Sequence, residues 1–337
     1  MNEDALLADK LSGEADSSAI DAILKGRPPS ELLEPDDFKR RELFRYIVAG
    51  TPFAKEAGSK VQEQIKDAYD RVYLPGSSLK GALRTMLFWA SLALNDKIPD
   101  IARLRDGDPR RAAEILEREV FVPNPGERGR NAPNYDWLRS LHVADSNSLS
   151  ATKALQLRTV MIYPTQTRDK PGLRIDVEAI ADGTFQTELT VDEYGFTDHD
   201  AASKLQWTRS DRRGIDQLAT IGRRYTEYRL RNDLAYFQRG PAEVLQIIQA
   251  FLQYQQQLPE NGFLLQVGWG AGWESKTLGY QLLHQSDAEF EGILKDFRMN
   301  KQGANRKPGD PFPKTRALVM RGSAYDGPPG WLEVRLG

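Results

Sequence analysis

The chain has 337 residues, of which 40% are hydrophobic, and this length can bury the core of one elaborated domain or of two. It contains no cysteine, which excludes a disulfide framework and any cysteine-ligated zinc or iron–sulfur site. The formal net charge is −2, so the chain as a whole does not attract nucleic acid, and any such binding must be local. Because no apolar run approaches the ~18 residues that span a bilayer and no signal pattern opens the chain, we expect a cytoplasmic protein without membrane contact.

The first part of the chain is predicted to be mainly helical. Residues 1–40 hold ten acidic and five basic side chains, with a brief helix expected at 18–24. Proline and acids at the start of a segment favour a first helical turn, so a helix is predicted over 35–48, and 55–70 is also predicted to be helical. Apolar spacing then predicts a helix over 78–94 and a charged helix near 109–120, followed by a loop over 123–133 rich in Pro, Gly, Asn and Arg.

From residue 141 the pattern changes to strands. Alternating and β-branched residues predict strands over 141–145, 155–163, 173–180 and 184–191. Two helices follow, over 217–234 and 241–258, and further strands are predicted over 263–267, 315–320 and 331–335. Strands placed between helices without a regular βαβ repeat favour an α+β fold.

The most informative stretch is LPGSSLKGALR, from Leu74 to Arg84. Pro75-Gly76 is a turn dipeptide, and Ser77 or Ser78 is the expected N-cap of the helix that follows. The first N–H groups of a helix lack intrahelical partners and carry the positive end of its dipole, so they favour an anion. The segment therefore predicts a turn at which a phosphate could dock.

Three further residues of this segment support the same interpretation. Lys80 and Arg84 lie four residues apart on one helix face, and Gly81 would let another backbone come close. The two glycines have the spacing of a Walker A loop, but Ala82 and Leu83 replace the Lys and Ser or Thr that such a loop requires, so no nucleoside triphosphate site is predicted. A capped surface helix with two solvated cations is the alternative.

A glycine-rich loop follows the predicted strand 263–267, with the sequence GWGAGW from Gly268 to Trp273. It reads G-x-G-x-G and lacks the acidic partner of a dinucleotide site in a βαβ setting, so a nicotinamide or flavin site is rejected. Its glycines permit close approach to a ligand, both tryptophans offer stacking planes, and Lys276 adds a charge. The alternative is that the tryptophans pack in the core, which we expect more of Trp269 than of Trp273.

The best local basic segment is Arg209 to Arg231, where seven Arg oppose three acids for a net +4. Tyr225 and Tyr228 lie among these cations, a pattern suited to base stacking and phosphate contact. A solvated helix face is the alternative interpretation.

Nothing in the sequence predicts a catalytic centre or a metal site. The three histidines, His142, His199 and His284, are far apart, and none forms an H-x-x-x-H or H-E-x-x-H pattern. The chain has neither a Gly-x-Ser-x-Gly elbow nor a cysteine nucleophile. We expect the histidines to be structural or exposed, and no cofactor.

Several motifs together resemble the RAMP superfamily of CRISPR proteins. They span roughly residues 73–337, and they are the segment Tyr73–Thr85, LHVADS at 141–146, IDVEAIADGTFQT at 175–187, VGWGAGWESKTLG at 267–279, FPKTRALV at 312–319, and Pro329-Gly330-Trp331. The similarity is most specific to the subunit that caps the type III-A Csm effector complex at the 3′ end of its guide RNA (crRNA). The resemblance implies an RRM-like (ferredoxin-like) RAMP core over 46–337 with large insertions at about 95–140 and 195–260, preceded by an acidic, partly helical segment over 1–45.

The resemblance also implies a function. A subunit of this kind is a non-catalytic guide-RNA-binding protein of a type III CRISPR interference complex, which caps the crRNA 3′ end and the backbone filament and supports crRNA maturation. Its implied partners are crRNA, the adjacent backbone RAMP subunit and other Csm subunits, and host nucleases that trim the guide. The expected RNA-binding residues are Ser77, Ser78, Lys80, Gly81, Arg84, Arg212, Arg213, Gly268, Gly270, Gly272, Trp273 and Lys276.

One departure from the family pattern keeps alternatives open. Members usually open with a β-strand that leads into a His-Ile-Gly-x-Gly turn, which this sequence lacks. Either that first strand is absent, or it lies upstream, or another subunit supplies the pairing. A RAMP endoribonuclease, acting as a target-slicing backbone subunit or as a crRNA-processing enzyme, and a purely structural subunit are the alternatives.

Overall fold

The computed structural model describes residues 1–12, 21, 25–26, 28–53, 59–93, 104, 113–124, 129–164, 172–238, 240–277, 287–299 and 310–337. In these ranges the helices are α1 (Glu3–Ser12), α2 (Gly76–Ala93), α3 (Glu114–Phe121), α4 (Ala151–Ala154), α5 (Tyr194–Thr197), α6 (His199–Leu205), α7 (Arg209–Asp216), α8 (Leu218–Phe237), α9 (Ala242–Gln257) and α10 (Asp287–Asp296). The strands are β1 (Val61–Gln62), β2 (Arg71–Val72), β3 (Leu141–Val143), β4 (Leu149–Ser150), β5 (Leu155–Pro164), β6 (Leu173–Ile180), β7 (Leu189–Val191), β8 (Gly262–Gln266), β9 (Thr315–Arg321), β10 (Ala324–Gly327) and β11 (Trp331–Arg335). Short 3₁₀ turns occur at Pro29–Leu32, Asp37–Lys39, Arg41–Leu43, Gly129–Tyr135 and Trp137–Ser140.

Two compact units make up the chain. The first comprises Met1–Tyr73, Asn147–Arg158 and Asp176–Phe185, and the second comprises Leu74–Ser146, Thr159–Ile175 and Gln186–Gly337. The chain thus passes between the units several times, and strands β5 and β6 contribute residues to both. The predicted division at residue 45 stays a prediction.

The largest sheet has the strand order β1-β6-β5-β9-β10. Strand β5 runs antiparallel to β9, with Thr159 opposite Met320 and Pro164 opposite Thr315. Separate two-stranded sheets pair β11 with β8, β2 with β4, and β3 with β7. Helices and mainly antiparallel strands in one chain confirm the predicted α+β class.

The main core of the second unit forms where α2 and α8 pack with β8. Leu83, Met86 and Leu87 on α2 are buried together with Ile221 on α8 and Phe263 on β8. A second cluster joins α8 and α9 to Leu318 of β9. The first unit has its own small cluster of Val72, Ala151, Ala154 and Leu155. The site residues described below are thus attached to well-packed helices and strands.

Long periodic elements match their predictions, and N-terminal ones do not. The helices predicted over 78–94, 217–234 and 241–258 and the strands predicted over 155–163, 173–180, 263–267, 315–320 and 331–335 are confirmed within a few residues. The helix predicted over 35–48 is wrong, because only two 3₁₀ turns form there. Asp37 does not cap a helix. It accepts a tertiary contact from Lys10 at 2.7 Å and a local hydrogen bond from the Glu34 backbone N–H at 2.9 Å.

The predictions for the segments 18–24 and 55–70 have different outcomes. Residues 59–70 are not helical, because Asp67 closes a turn by accepting from the backbone N–H groups of Tyr69 and Arg71, at 2.9 Å each. Residues 54–58, and all of 18–24 except Asp21, lie outside the described residues. Within the described stretch 28–53 the expected first core strand has no full counterpart, and an isolated parallel bridge joins Ala49 to Gln156 of β5.

Candidate nucleic-acid interface

The turn before α2 is closed by the end of the LHVADS segment. Helix α2 begins at Gly76, whose backbone N–H donates to the Asp145 carboxylate at 2.7 Å. The Leu74 N–H donates to Ser146 Oγ at 2.8 Å, and the Ser146 N–H donates back to the Leu74 carbonyl at 3.1 Å. The predicted serine N-caps are therefore wrong. An acid that is remote in the sequence supplies the anion at the helix start, so this first-turn N–H is not open to a phosphate.

Close backbone packing explains the glycine at position 76. A Cβ added to Gly76 would lie 2.1 Å from the Val143 carbonyl oxygen and 2.7 Å from that of Ala144. Both distances are far below van der Waals contact, and both obstacles are backbone atoms that cannot rotate away. Gly76 thus lets the turn lie directly against the end of β3.

A cleft of about 430 Å³ opens between the start of α2 and the paired strands β3 and β7. Lys80 reaches into it from α2, and its ammonium donates to the Leu141 carbonyl at 2.7 Å. Burial lowers the pKa of this amine from its usual 10.5. The residues that line the cleft are Gly76, Ser77, Lys80, His142, Val143, Ala144, Glu188 and Thr190.

The polar groups of the cleft suit a ribose-phosphate. An ammonium has three donors, so the bond from Lys80 to Leu141 leaves two for a phosphate. Ser77 and Thr190 offer hydroxyl groups, and Glu188 offers a carboxylate that can accept from a ribose hydroxyl. His142, Glu188 and Thr190 were not predicted from the sequence to line this cleft. They lie beside α2 because β3 pairs with β7.

The remaining residues of the α2 start differ in accessibility. Ser77, Ser78 and Gly81 are exposed, and a Cβ at Gly81 would meet no atom within 4 Å. Arg84 is instead engaged by the protein. Its guanidinium pairs with Asp136 at 2.7 Å and with Glu117 at 3.0 Å, and it lies 3.9 Å from the centroid of the Phe121 ring. An RNA phosphate would have to displace these contacts, which argues against the predicted role of Arg84 in RNA binding.

We expect Arg84→Ala to lower stability without a specific effect on RNA affinity. The side chain is partly exposed, at 30%, so its ion pairs and ring contact together should contribute about 1–2 kcal/mol. Arg213→Ala is a suitable control because that side chain is exposed, and it should change stability by less than about 0.5 kcal/mol. Equal thermal unfolding midpoints for the two variants would contradict a structural role of Arg84.

The basic segment Arg209–Arg231 also contains both paired and exposed cations. Arg212 on α7 pairs with Glu193 at 2.8 Å and also with Asp216, whereas Arg213 is exposed. Tyr225, expected to be available for base stacking, is buried and packs 5.5 Å from the Trp89 ring centroid. Tyr228 packs against the same tryptophan at 5.2 Å. These two tyrosines belong to the core of the unit, so the stacking interpretation is wrong for them.

The glycine-rich loop leaves β8 in a conformation that requires its glycines. Gly268, Gly270 and Gly272 have φ of 81°, 82° and 87°, in the left-handed region that favours glycine. The Val267 N–H donates to the Gly330 carbonyl at 2.9 Å. A Cβ at Gly270 would lie 2.9 Å from the Pro329 ring. The Pro-Gly-Trp part of the C-terminal motif is thus packed directly against the loop.

Buried polar side chains hold the other end of this loop. Glu274, which is 2% exposed, forms an ion pair with Arg316 of β9. Arg229 of α8 donates to Ser275 at 3.1 Å and to Gln266 at 3.3 Å, and the Gln266 amide donates to the Pro329 carbonyl at 2.8 Å. Glu274 and Arg316 belong to two different sequence motifs, and no local sequence signal shows that they pair.

The two tryptophans of the loop differ in their surroundings. Trp273 packs edge-on against Phe312 at 4.9 Å and lies 6.4 Å from Phe290. Trp269 is 48% exposed. The alternative of core packing is wrong for Trp269, which presents its ring to solvent. Lys276, on the same loop, is exposed.

The predicted residues thus lie in three groups, because Arg212 and Arg213 lie on α7, apart from the α2 start and the glycine-rich loop. The α2 start is attached to β3, while the glycine-rich loop is attached to β9 and to the Pro329-Gly330 turn. Over the described residues, the structure has no group of three His, Asp or Glu side chains arranged to hold a metal ion. Those residues also include no helix that is both long and apolar enough to cross a membrane.

Comparison with known proteins identifies the class of this fold. A family model for the RAMP superfamily matches residues 46–275. The chain belongs to the RAMP superfamily, as the motifs predicted.

Individual relatives are similar to the chain at low identity. A protein of Methanocaldococcus jannaschii described as CRISPR system Cms protein Csm5 is 22% identical over 286 residues, which cover 78% of this chain and 62% of that protein. The chain therefore spans less than two thirds of that relative.

Two solved structures share the fold. A chain in a cryo-EM structure of a Csm–crRNA–target RNA ternary complex, from a type III-A CRISPR-Cas system, has a TM-score of 0.67 at 22% identity, and the match covers 100% of this chain and 91% of that one. The crystal structure of T. onnurineus Csm5 has a TM-score of 0.53 at 21% identity, covering 95% and 91%. These likenesses confirm the predicted α+β fold.

Proposed function

We propose that this protein is a non-catalytic guide-RNA-binding subunit of a type III-A Csm complex, which caps the crRNA 3′ end and the backbone filament and supports crRNA maturation. The observation that carries the proposal is the Lys80 cleft at the start of α2, on a RAMP fold that matches a chain of a Csm–crRNA–target RNA complex along its full length. The proposed partners are crRNA, the adjacent backbone RAMP subunit and other Csm subunits, and nucleases that trim the guide.

The contacts proposed for the cleft are independent of sequence. Lys80 binds a phosphate, Ser77 and Thr190 bind phosphate or sugar oxygens, and Glu188 accepts from a ribose 2′-hydroxyl. Contacts to phosphate and sugar position a strand without reading its bases, as a subunit that accepts any spacer requires. Recognition of the 2′-hydroxyl lets a protein distinguish RNA from DNA. We therefore expect single-stranded RNA to bind more tightly than DNA of the same sequence.

Removing the charge of Lys80 should weaken RNA binding in a salt-dependent way. Lys80→Met keeps most of the apolar stem and removes the ammonium, so we expect about a tenfold loss of affinity at low salt, in the range of one charged hydrogen bond. The plot of log affinity against log salt should become shallower by about 0.7, the contribution of one phosphate on a single strand. Fluorescence anisotropy with a labelled single-stranded RNA over a salt titration measures both effects.

Two controls separate a charge effect from a folding effect. Lys80→Arg keeps the cation and should retain the wild-type salt slope. Arg84→Ala should lower the unfolding midpoint but keep the slope, because Arg84 faces protein carboxylates. An unchanged slope for Lys80→Met, with wild-type binding intact, would remove Lys80 from the interface.

The place of the subunit in the complex is tested by crosslinking. In an assembled Csm particle carrying a crRNA with photoreactive nucleotides near either end, this chain should crosslink to the 3′ end and to one backbone subunit. Crosslinks at the 5′ end alone would contradict the capping role. Crosslinks to proteins but never to RNA would favour the purely structural alternative.

The non-catalytic part of the proposal has its own assay. Purified protein incubated with labelled repeat-spacer and target RNAs, with and without magnesium, should leave both RNAs intact. Cleavage that is lost on substituting one Asp or His would instead identify a RAMP endoribonuclease. His142 is the histidine to substitute first, because it lines the cleft.

A further inference from the structure

Trp269 is exposed in a way that its own loop enforces. Its side chain is 48% exposed, although tryptophan is usually among the more buried residues. The glycines on both sides have positive φ, and a Cβ at Gly268 would meet no atom within 4 Å. The space beside the Gly268 backbone, next to the tryptophan, is therefore open within that distance.

The loop is held in this conformation by contacts on both sides of Trp269. On one side Val267 is bonded to Gly330, and on the other Glu274 is paired with buried Arg316. Trp273 is fixed against Phe312 and Phe290. A loop anchored in this way positions an exposed ring before any ligand arrives, which reduces the entropy cost of binding.

The chemistry of the loop favours one kind of ligand. An exposed aromatic plane together with a nearby cation is the combination by which proteins bind single-stranded nucleic acid, since every base has a face that can stack. Lys276 supplies an exposed cation seven residues after Trp269 on the same loop. The separate Lys80 cleft offers groups for phosphate and sugar, so a stacking platform adds a type of contact that the cleft lacks.

We propose that Trp269 is a stacking platform for an unpaired nucleobase of the bound RNA strand, with Lys276 contacting the adjacent phosphate. This inference rests on the proposed RNA-binding function and extends it to Trp269, for which the sequence left stacking and core packing open. The contact is tolerant of base identity, because stacking uses the face of the base and not its hydrogen-bonding edge.

The test compares Trp269 variants of the full chain on single-stranded RNA. Trp269→Ala should weaken binding about tenfold, within the range of one stacked base, and Trp269→Phe should lose less because a smaller ring remains. The salt slope should stay at the wild-type value, since no phosphate contact is removed. Lys276→Met should instead reduce the slope. Tyr254→Ala is the matched control, because Tyr254 is 44% exposed in the same unit and should leave affinity unchanged.

An oligonucleotide with abasic positions separates stacking from a structural effect. Wild-type protein should lose affinity for a probe that carries abasic sites along its length, and Trp269→Ala should bind the intact and abasic probes with nearly equal affinity. Equal RNA binding by wild type and Trp269→Ala would overturn the inference and leave the proposed function intact. A Trp269→Ala defect that is confined to assembly with a neighbouring subunit would also overturn the inference, because Trp269 would then be a protein contact. If wild-type protein fails to bind RNA both alone and in the assembled complex, the proposed function itself fails.

Discussion

Gly76→Ala is expected to destabilise the second unit by at least about 3 kcal/mol, at or beyond the upper end of usual overpacking costs. The added methyl would lie 2.1 Å from the Val143 carbonyl oxygen and 2.7 Å from that of Ala144. Backbone atoms of a paired strand cannot move aside as a flexible side chain would. The turn must therefore separate from β3, which also lengthens the hydrogen bond from the Gly76 N–H to Asp145.

The matched control is Gly81→Ala, five residues along the same helix. A Cβ at Gly81 would meet no atom within 4 Å, so the substitution should stabilise α2 by about 0.5–1 kcal/mol, because alanine loses less backbone entropy in a helix. Urea unfolding of the two variants followed by circular dichroism measures the difference. Similar shifts for both variants would contradict the close packing at Gly76.

Arg316→Met is the second substitution with a large expected effect. It leaves the Glu274 carboxylate, 2% exposed, without its ion-pair partner. Breaking a buried pair by removing one member costs about 3–5 kcal/mol. It also removes the guanidinium that lies 3.7 Å from the centroid of the Tyr236 ring. We expect a lower unfolding midpoint and weaker RNA binding, because the glycine-rich loop loses an anchor.

The pH dependence of the Arg316→Met defect follows from the carboxyl group that remains. Burial raises the pKa of Glu274 from its usual 4.5. The positive charges of Arg316 and Arg229 lower this pKa, and the negative charge of Asp233 raises it. A carboxyl group with a raised pKa binds its proton more tightly in the folded state, so its contribution to stability falls as pH increases from 4.5 through the folded-state value. Without Arg316 the pKa should rise further. The stability deficit should therefore be smallest near the usual carboxyl pKa of 4.5 and should grow as pH increases above it.

A double substitution provides the control for this pair. Glu274→Gln with Arg316→Met removes both charges, so it should be more stable than Arg316→Met alone at about pH 8 and should lack the added pH dependence. Chemical unfolding at several pH values measures both. If Arg316→Met has the same stability deficit at each pH, Glu274 is not the group left uncompensated.

Local patterns in the sequence predicted the regular elements well where they were long. The helices α2, α8 and α9 and the strands β5, β6, β8, β9 and β11 follow from apolar patterns within one segment. Strand β9 alternates between more and less buried residues, whereas β8 is a short apolar run that is buried at every position. Asp36 and Asp37 misled the helix prediction over 35–48, since a carboxylate beside a helix start and one that pairs with a distant lysine, as Asp37 does with Lys10, look alike in sequence. The short helices α5, α6 and α7 have too few turns for a periodic pattern to be recognised.

Local sequence patterns were also insufficient to predict the contacts within the candidate site. The sequence located the Gly76–Arg84 segment and the glycine-rich loop, because turn residues and cations stand close together in the chain there. It could not show that Arg84 faces two carboxylates, that Lys80 shares a cleft with His142, or which tryptophan is exposed. Each of these depends on residues that are distant along the chain.

The sequence by itself determined the RAMP family, the α+β class and the two segments proposed to contact RNA, because motif residues and hydrophobic periodicity are local properties of a chain. Tertiary structure alone decided which cations are exposed to solvent and which are paired with protein carboxylates. It also decided that Asp145 closes the turn before α2, that Glu274 and Arg316 anchor the glycine-rich loop, and that Trp269 presents its ring to solvent. The physical reason is that burial and choice of partner are set by packing between elements that are far apart in sequence, and a local pattern carries no record of that packing.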